Sequence, residues 1–429
     1  MCLHKNYYDR MRILFFASTP LNPRGYDHQY NGGGWIAAIH HELLDRKYEL
    51  GFTFLSDVSD KYVDDAGTMY YPVKPIDKSF KEKIFNALHP RDAKYEIARA
   101  EANIHSFKKV VEDFNPDLIH IFGSEQCYGL IAKYTAVPVV IHLQGIINAV
   151  NNAYMIPGVS LMSYSLQNFN PSRIWARFQI TNEWYRISER EREIFKYCHN
   201  YIGRTIWDKA CIDLLCDDYH YYYGGEMLRE PFYSAPKRKI PQRLTIVTTS
   251  SAAIYKGFDV ILKTAKALYD KIGDGFEWIV YGNINPDFYE ELTHISHKDV
   301  NVKLEGVVTA EQLVESFSRC TLYFHPSYIE NSPNSLCEAQ ISGCPAVACH
   351  VGGIESIVAH GENGFLVPAN DPYLGAYRIL QLYEDNSLNL RMGISARETA
   401  IKRHNRKEIL DNVVNTYELI LKQDKQCVN

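Results

Sequence analysis

The chain has 429 residues, 46% of them hydrophobic and 23% charged, with a formal net charge of -5. That length exceeds what one ordinary core fills and predicts two domains. The composition excludes a disordered or fibrous chain, and the charge excludes a global attraction to nucleic acid, leaving no nucleic-acid partner expected. The ten cysteines are scattered without paired metal-ligand spacing and read as buried thiols of a reducing compartment. No stretch reaches the length and apolarity of a membrane span, and residues 1–10 lead into no apolar secretory segment, so a cytoplasmic protein is expected.

The first predicted strand is the apolar run Arg12 to Ala17. It leads into the loop Asn31-Gly-Gly-Gly34 and an amphipathic helix from Trp35 to Leu44. Strands at Asp117 to Phe122, Pro138 to Leu143 and Tyr201 to Ile202 follow, separated by helical patterns. That alternation predicts a largely parallel sheet covered by helices, assigned to residues 1–228 as an acceptor-holding domain. The glycine loop lacks the Gly-x-Gly-x-x-Gly spacing of a dinucleotide fold. Gly33 and Gly34 are expected instead to let backbone approach the phosphates of a donor, or the acceptor. His120 and His142 stand near strand ends and are expected to face a cleft, against the alternative of core or hydrogen-bonding histidines, while Arg204, just after a strand, is a candidate phosphate ligand against the alternative of a structural ion pair. Arg173 to Phe178 and Trp184 to Arg192 mix cations with aromatics. They read as a solvated helix face, with peripheral contact at the inner face of a membrane as the alternative for residues 172–196.

Three prolines and a basic cluster between Glu230 and Pro241 interrupt the periodicity as an interdomain connection does. A second series begins with strands at Leu244 to Thr249, Glu277 to Tyr281, Val302 to Glu305, Thr321 to His325 and Ala346 to Ala348. This is a second doubly wound domain, residues 229–405, and the remaining 406–429 predict a helix that crosses back to the first domain. Beyond Pro372 the pattern is helical to about Leu421, with a break near Arg403 to Asn405. Ligands of doubly wound sheets bind outside the carboxyl ends of the strands, so the cleft between the domains is the expected site.

The densest chemistry lies in His325-Pro-Ser-Tyr-Ile-Glu330-Asn-Ser-Pro-Asn-Ser-Leu-Cys-Glu338, followed by Gly343-Cys-Pro345. Ser332 reads as a helix N-cap and Pro333 as the first helical residue. The amides of Asn334, Ser335 and Leu336 then form a preformed site for a diphosphate. Glu330 stands before that site, with Asn331 beside it, and Glu338 lies in the second turn. Two carboxylates so near an anion are tolerable when each accepts hydrogen bonds from hydroxyls. Lys256, in Lys-Gly-Phe-Asp259 after a strand, would set a compact charge against the diphosphate.

This block resembles the Glu-x7-Glu signature of glycosyltransferase family 4, and Lys256-Gly257, Val351-Gly-Gly353 and the Gly364 turn continue the likeness. The resemblance implies an α/β chain of GT-B fold, two facing Rossmann-like doubly wound domains. It implies a retaining, metal-independent hexosyltransferase that needs no cofactor beyond its UDP- or GDP-sugar donor. Its acceptor would be a saccharide or lipid-linked saccharide, in surface polysaccharide synthesis. By the same resemblance Glu330 binds donor-sugar hydroxyls near the reacting carbon, Glu338 binds the ribose and Lys256 the phosphates, with His120 and His142 beside the reaction. Two departures stand out. The arginine many relatives carry shortly before the lysine is absent, since residues 249–252 are all small. The histidine that precedes the glycine at Gly145 is Gln144. The alternatives are a synthase of a small glycoside or disaccharide, and a catalytically silent nucleotide-sugar-binding subunit.

Overall fold

The structure is a computed structural model that describes residues 11–18, 34–46, 48–58, 60–166 and 171–427. Gly33 and most of the loop before it lie outside the described residues.

The first sheet is built from β1 (Arg12–Phe16), β2 (Glu49–Leu55), β3 (Tyr62–Val63), β4 (Met69–Val73), β5 (Leu118–Phe122), β6 (Val139–His142), β7 (Asn200–Gly203) and β8 (His220–Tyr223). Its order is β3-β4-β2-β1-β5-β6-β7-β8, parallel throughout except where the short β3 meets β4. The second sheet holds β9 (Leu244–Thr249), β10 (Phe276–Tyr281), β11 (Val302–Gly306), β12 (Leu322–His325), β13 (Ala346–Cys349) and β14 (Gly364–Val367). It is parallel in the order β11-β10-β9-β12-β13-β14.

The central strands form where the sequence is mostly apolar without alternation, because helices cover both faces, while β10 and β11 nearer the edge alternate in burial. β5 and β13 are buried at every residue. Each predicted strand is present, but β2, β3, β4 and β8 were not predicted. Gly51 in β2 weakens a strand signal, and its reason is packing: a Cβ there would stand 2.9 Å from the Phe114 ring. β8 is a partly exposed edge of four residues, too short to show a period. The expected helical stretch beyond Pro372 is three helices, Pro372–Glu384, Asn386–Arg403 and Arg406–Cys427. The extra break falls at Asp385, whose side chain accepts from the Leu388 amide at 2.9 Å and caps the second helix. Six described cysteines carry separate thiols. Cys320 and Cys344 lie side by side in the core with their sulfurs adjacent.

The last helix packs on the first sheet. Ile409, Val413, Tyr417 and Ile420 join Ile13, Phe15 and Leu118 in one buried cluster, and the Tyr417 hydroxyl lies 2.5 Å from His120 Nδ1. Truncating Tyr417 to alanine removes a ring that is wholly buried and leaves His120 without that partner. Its expected cost is about 3 to 5 kcal/mol by the measure of large-to-small core changes, read from denaturant unfolding.

Candidate active site

The carboxyl ends of both sheets meet, and two glycines decide what happens there. After β9 the chain makes a short helical turn, Ile254–Lys256, and Gly257 follows at φ +72°. A Cβ at Gly257 would stand 2.2 Å from the Pro326 carbonyl oxygen, so only glycine lets this turn lie against the loop after β12. The two loops are also joined by the Tyr328 amide, which donates to Tyr255 O at 2.8 Å. Gly352, at φ +50°, does the same from the other side: its Cβ would fall 1.9 Å from the Glu330 carbonyl oxygen. Gly353 N–H donates to that oxygen at 2.9 Å.

The clamped backbone aims two side chains at each other. Lys256 Nζ donates to Glu330 Oε1 at 2.5 Å, and Ser327 Oγ donates to the same oxygen at 2.8 Å. His325 Nε2 lies 3.6 Å away, and neither nitrogen of this buried ring has a hydrogen-bond partner. Burial pushes the Glu330 carboxyl up, but the Lys256 ammonium and then His325 outweigh it and hold it at about 2. The same carboxylate raises Lys256 against the burial that would lower it. Both groups are therefore charged across the physiological range.

The helix that presents Glu338 is Asn334–Ile341, with Pro333 as its N-cap. It starts one residue later than the sequence predicts, because the Ser332 hydroxyl donates to the Glu226 carboxylate instead of capping. The shift costs one expected amide: Leu336 N–H donates to Pro333 O at 3.0 Å. Asn334 and Ser335 are left to supply the N-terminal donors. Beside them, the Tyr323 hydroxyl bonds both Ser335 Oγ and Thr249 Oγ1 at 3.0 Å. Small hydroxylated residues thus stand where an arginine was looked for.

Glu338 is buried and already engaged. Arg229 Nε reaches its Oε1 at 2.7 Å and Arg229 Nη2 its Oε2 at 2.8 Å, a bidentate pair. Burial raises this carboxyl and Arg229 pulls it back. Gly34 opens the first helix beside that arginine, and a Cβ on it would meet Arg229 Cγ at 2.7 Å. Gly34, Trp35, Arg229, Thr249, Ser335 and Glu338 line one cleft between the two sheets. Sequence reasoning missed Arg229, since it sits at the edge of the basic interdomain stretch and belongs to no motif.

Other expected site residues lie elsewhere. His120 and His142 do not face the cleft; they are wholly buried under it. His120 bonds Tyr417 and stacks on Phe122 at 4.3 Å, while His142 Nε2 bonds Gly225 O at 3.1 Å and its ring meets the Trp35 edge. Burial lowers both, His120 to about 3 and His142 well below the usual range. Both are neutral core histidines. Asn331 ties the halves together: its amide donates to Asp208 Oδ2 at 2.9 Å and to Gln144 O at 3.3 Å, and its oxygen accepts from Thr205 Oγ1 at 2.6 Å. Arg204 lies under Trp35, 4.5 Å from the ring centre. Its Nε is 4.0 Å from Glu226, and Nε and Nη2 have no hydrogen-bond partner. A half-buried carboxyl that the sequence did not single out, Glu125, folds back over Gly123 with Oε1 toward Gly145. Burial, with Glu191 behind it, pushes Glu125 up to about 7 against the pull of Arg204 and Arg190.

Residues 231–399 match the model of the glycosyl transferases group 1 family. This stretch is a family 4-like glycosyltransferase domain. A D-inositol 3-phosphate glycosyltransferase of Corynebacterium glutamicum is 30% identical over 152 residues, 34% of this chain and 36% of that protein. The match therefore spans about a third of that curated relative. Solved structures extend the likeness in fold over nearly the whole chain. Sucrose-phosphate synthase of Thermosynechococcus elongatus superposes with a TM-score of 0.71 at 14% identity, over 96% of this chain and 100% of that one. HepE of Anabaena in complex with UDP gives 0.61 at 16% identity, over 95% and 100%. The fold is GT-B.

The low folded-state value of Glu330 sets a pH dependence for this chain. Stability from the Lys256 pair is fully present above the ordinary carboxyl value of 4.5 and is lost as pH falls toward about 2. The melting-temperature gap between the native chain and Glu330→Gln should stay constant above pH 5 and narrow below about 4.5. A gap independent of pH would separate Glu330 from that pairing.

Proposed function

We propose that the chain is a retaining glycosyltransferase that moves a hexose-type sugar from a UDP- or GDP-sugar to a hydroxyl of a glycan or lipid-linked saccharide, in surface polysaccharide synthesis. The observation that carries this reading is the Lys256–Glu330 pair at 2.5 Å beside the open helix start at Asn334 and Ser335. It offers one cation and two amides to a diphosphate, and one ionised carboxylate to the hydroxyls of the sugar attached to it. The printed contents of related structures support the donor class: the Anabaena protein is described in complex with UDP and with UDP-glucose.

On this reading the diphosphate enters between Lys256 and the helix start and draws the ammonium from Glu330. The freed carboxylate accepts from sugar hydroxyls. The bond from the anomeric carbon to the phosphate oxygen breaks, and the charge that grows on the diphosphate meets Lys256 and the two amides, which are already oriented. The acceptor oxygen bonds the same face of the carbon, and its proton passes to the departing phosphate, so no strong enzyme base is required. Neutral, buried His120 and His142 are consistent with that economy. The protein's own cation serves the leaving group, which is the support for metal independence; chelator should leave turnover intact.

Two substitutions separate the roles. Glu330→Gln should lower kcat by roughly 100-fold or more, as loss of a transition-state contact does, while nucleoside diphosphate affinity by calorimetry changes far less. Lys256→Ala should weaken that affinity by roughly 10- to 100-fold, the value of a charge-assisted contact. Equal loss of turnover and affinity in Glu330→Gln would remove it from the sugar. A thermal-shift series across UDP-, GDP- and ADP-sugars identifies the base.

Arg229→Ala tests the far end of the same site. It strands Glu338, whose side chain is 3% exposed, as a buried carboxylate without its partner, at an expected cost of about 3 to 5 kcal/mol. Arg229→Ala with Glu338→Gln should recover most of that loss in unfolding experiments.

A further inference from the structure

The helix Phe80–Leu88 is turned inside out. Its polar residues Glu82 and Asn86 face the protein, 2% and 4% exposed, while Phe80, Ile84 and Leu88 stand 77%, 46% and 72% exposed. These three are four residues apart and lie along one face. The orientation is built in. Ser79 caps the helix by accepting from the Glu82 amide at 3.1 Å. Inside, Glu82 Oε1 accepts from Arg99 Nε at 3.2 Å, and Arg99 also pairs with Glu96. Rotating the apolar stripe inward would unpair that buried network, so the stripe is held toward solvent.

Its surroundings are cationic. Between residues 74 and 94 stand Lys74, Lys78, Lys81, Lys83, Arg91 and Lys94 against Asp77, Glu82 and Asp92, in a chain whose net charge is -5. Lys81 and Lys83 are exposed on the helix itself. By contrast, the cation-rich helix Pro171–Phe195 turns much of its charge inward. Arg186 and Arg190 are 1% and 6% exposed, bonded to Pro90 O and to Glu96. Those two arginines are therefore withheld from any surface contact, while Arg192 stays exposed. The two helices are neighbours, joined by Lys78 Nζ to Glu183 at 2.5 Å and by Arg91 over the Tyr185 ring. Further along, the same long helix meets Tyr154 through Trp184, and Tyr154 meets Tyr255, next to Lys256.

We propose that the helix Phe80–Leu88 docks this chain on an anionic lipid surface, with Phe80, Ile84 and Leu88 entering the acyl boundary and Lys81 and Lys83 lying against lipid phosphates. A large apolar stripe flanked by lysines matches such a surface in both chemistries, since lysine stems extend along the apolar layer while their ammonium groups stay at the phosphates. The docking stands apart from the transfer reaction, and rests on no residue assigned to it.

The test is sedimentation of the full chain with vesicles of phosphatidylglycerol and phosphatidylcholine in equal parts, and with phosphatidylcholine alone. The native chain should bind the mixed vesicles and prefer them to the neutral ones. Phe80→Ser with Ile84→Ser and Leu88→Ser should lower binding roughly tenfold or more. Lys81→Glu with Lys83→Glu should abolish the preference for the anionic lipid and its sensitivity to salt. The altered side chains are surface ones, so both variants should keep the native melting temperature and its shift by nucleotide, a control that reports the donor site separately. Failure of the native chain to bind either vesicle, or undiminished binding by the serine variant, overturns the proposal. So does a dimer in sedimentation that the serine variant loses without any vesicle binding, because the face would then belong to a second copy.

Discussion

Lys256 and Glu330 occupy a place where neither charge is tolerated without the other. Their side chains are only 24% and 10% exposed, and an isolated ion there loses more hydration than a single neutral contact returns. The pair exists because glycine lets two loops from different strands share one small volume. Without Gly257 the lysine turn could not lie on Pro326, and without Gly352 the Glu330 carbonyl could not be gripped from behind. The parallel sheet supplies the strand ends, and the glycines convert adjacency into contact.

Around that contact the junction between the sheets is polar and closely bonded. Asn331 reaches Asp208, Thr205 and Gln144, and Ser332 reaches Glu226. Arg403 donates to Arg204 O at 2.8 Å. Glu226 is wholly buried, yet its carboxyl is lowered: Arg403, His404 and Arg204 overcome the effect of burial. The cluster Glu226, Cys337 and His404 has donor atoms close enough for a metal ion, but arginines crowd it and supply the positive charge a metal would bring. The residues that follow Glu330 thus serve the joint between halves, which explains why Asn331 and Ser332 are occupied there and do not face the cleft.

Much of the sheet architecture was legible in the sequence because strands such as β5 and β13 are covered on both faces and are mostly apolar. Lys256, Glu330 and Glu338 were singled out by the resemblance to a family signature, and the structure brings Lys256 and Glu330 into contact. What escaped detection was partnership over long sequence distance. Nothing local to Glu338 announces Arg229, 109 residues earlier, and nothing near His120 announces Tyr417, 297 residues later. Such pairings turned His120 and His142 from cleft residues into core residues. The one-residue error at the helix start had a similar source: a good N-cap at Ser332 was drawn away by a carboxylate from the other side of the joint.

The two pairings also bear on which ligand the cleft accepts. Lys256 with Glu330 and Arg229 with Glu338 are each paired within the chain. An inorganic diphosphate that took the cations would leave two carboxylates unpaired beside an anion, and that repulsion opposes its binding. A nucleoside diphosphate bearing a sugar, on the reading proposed above, brings phosphate oxygens for the cations and hydroxyls at both ends for the carboxylates. Only the complete molecule replaces every contact it disrupts. On that reading, selectivity for the intact donor over its fragments follows from these two internal pairs, with no need for a residue that reads each part alone.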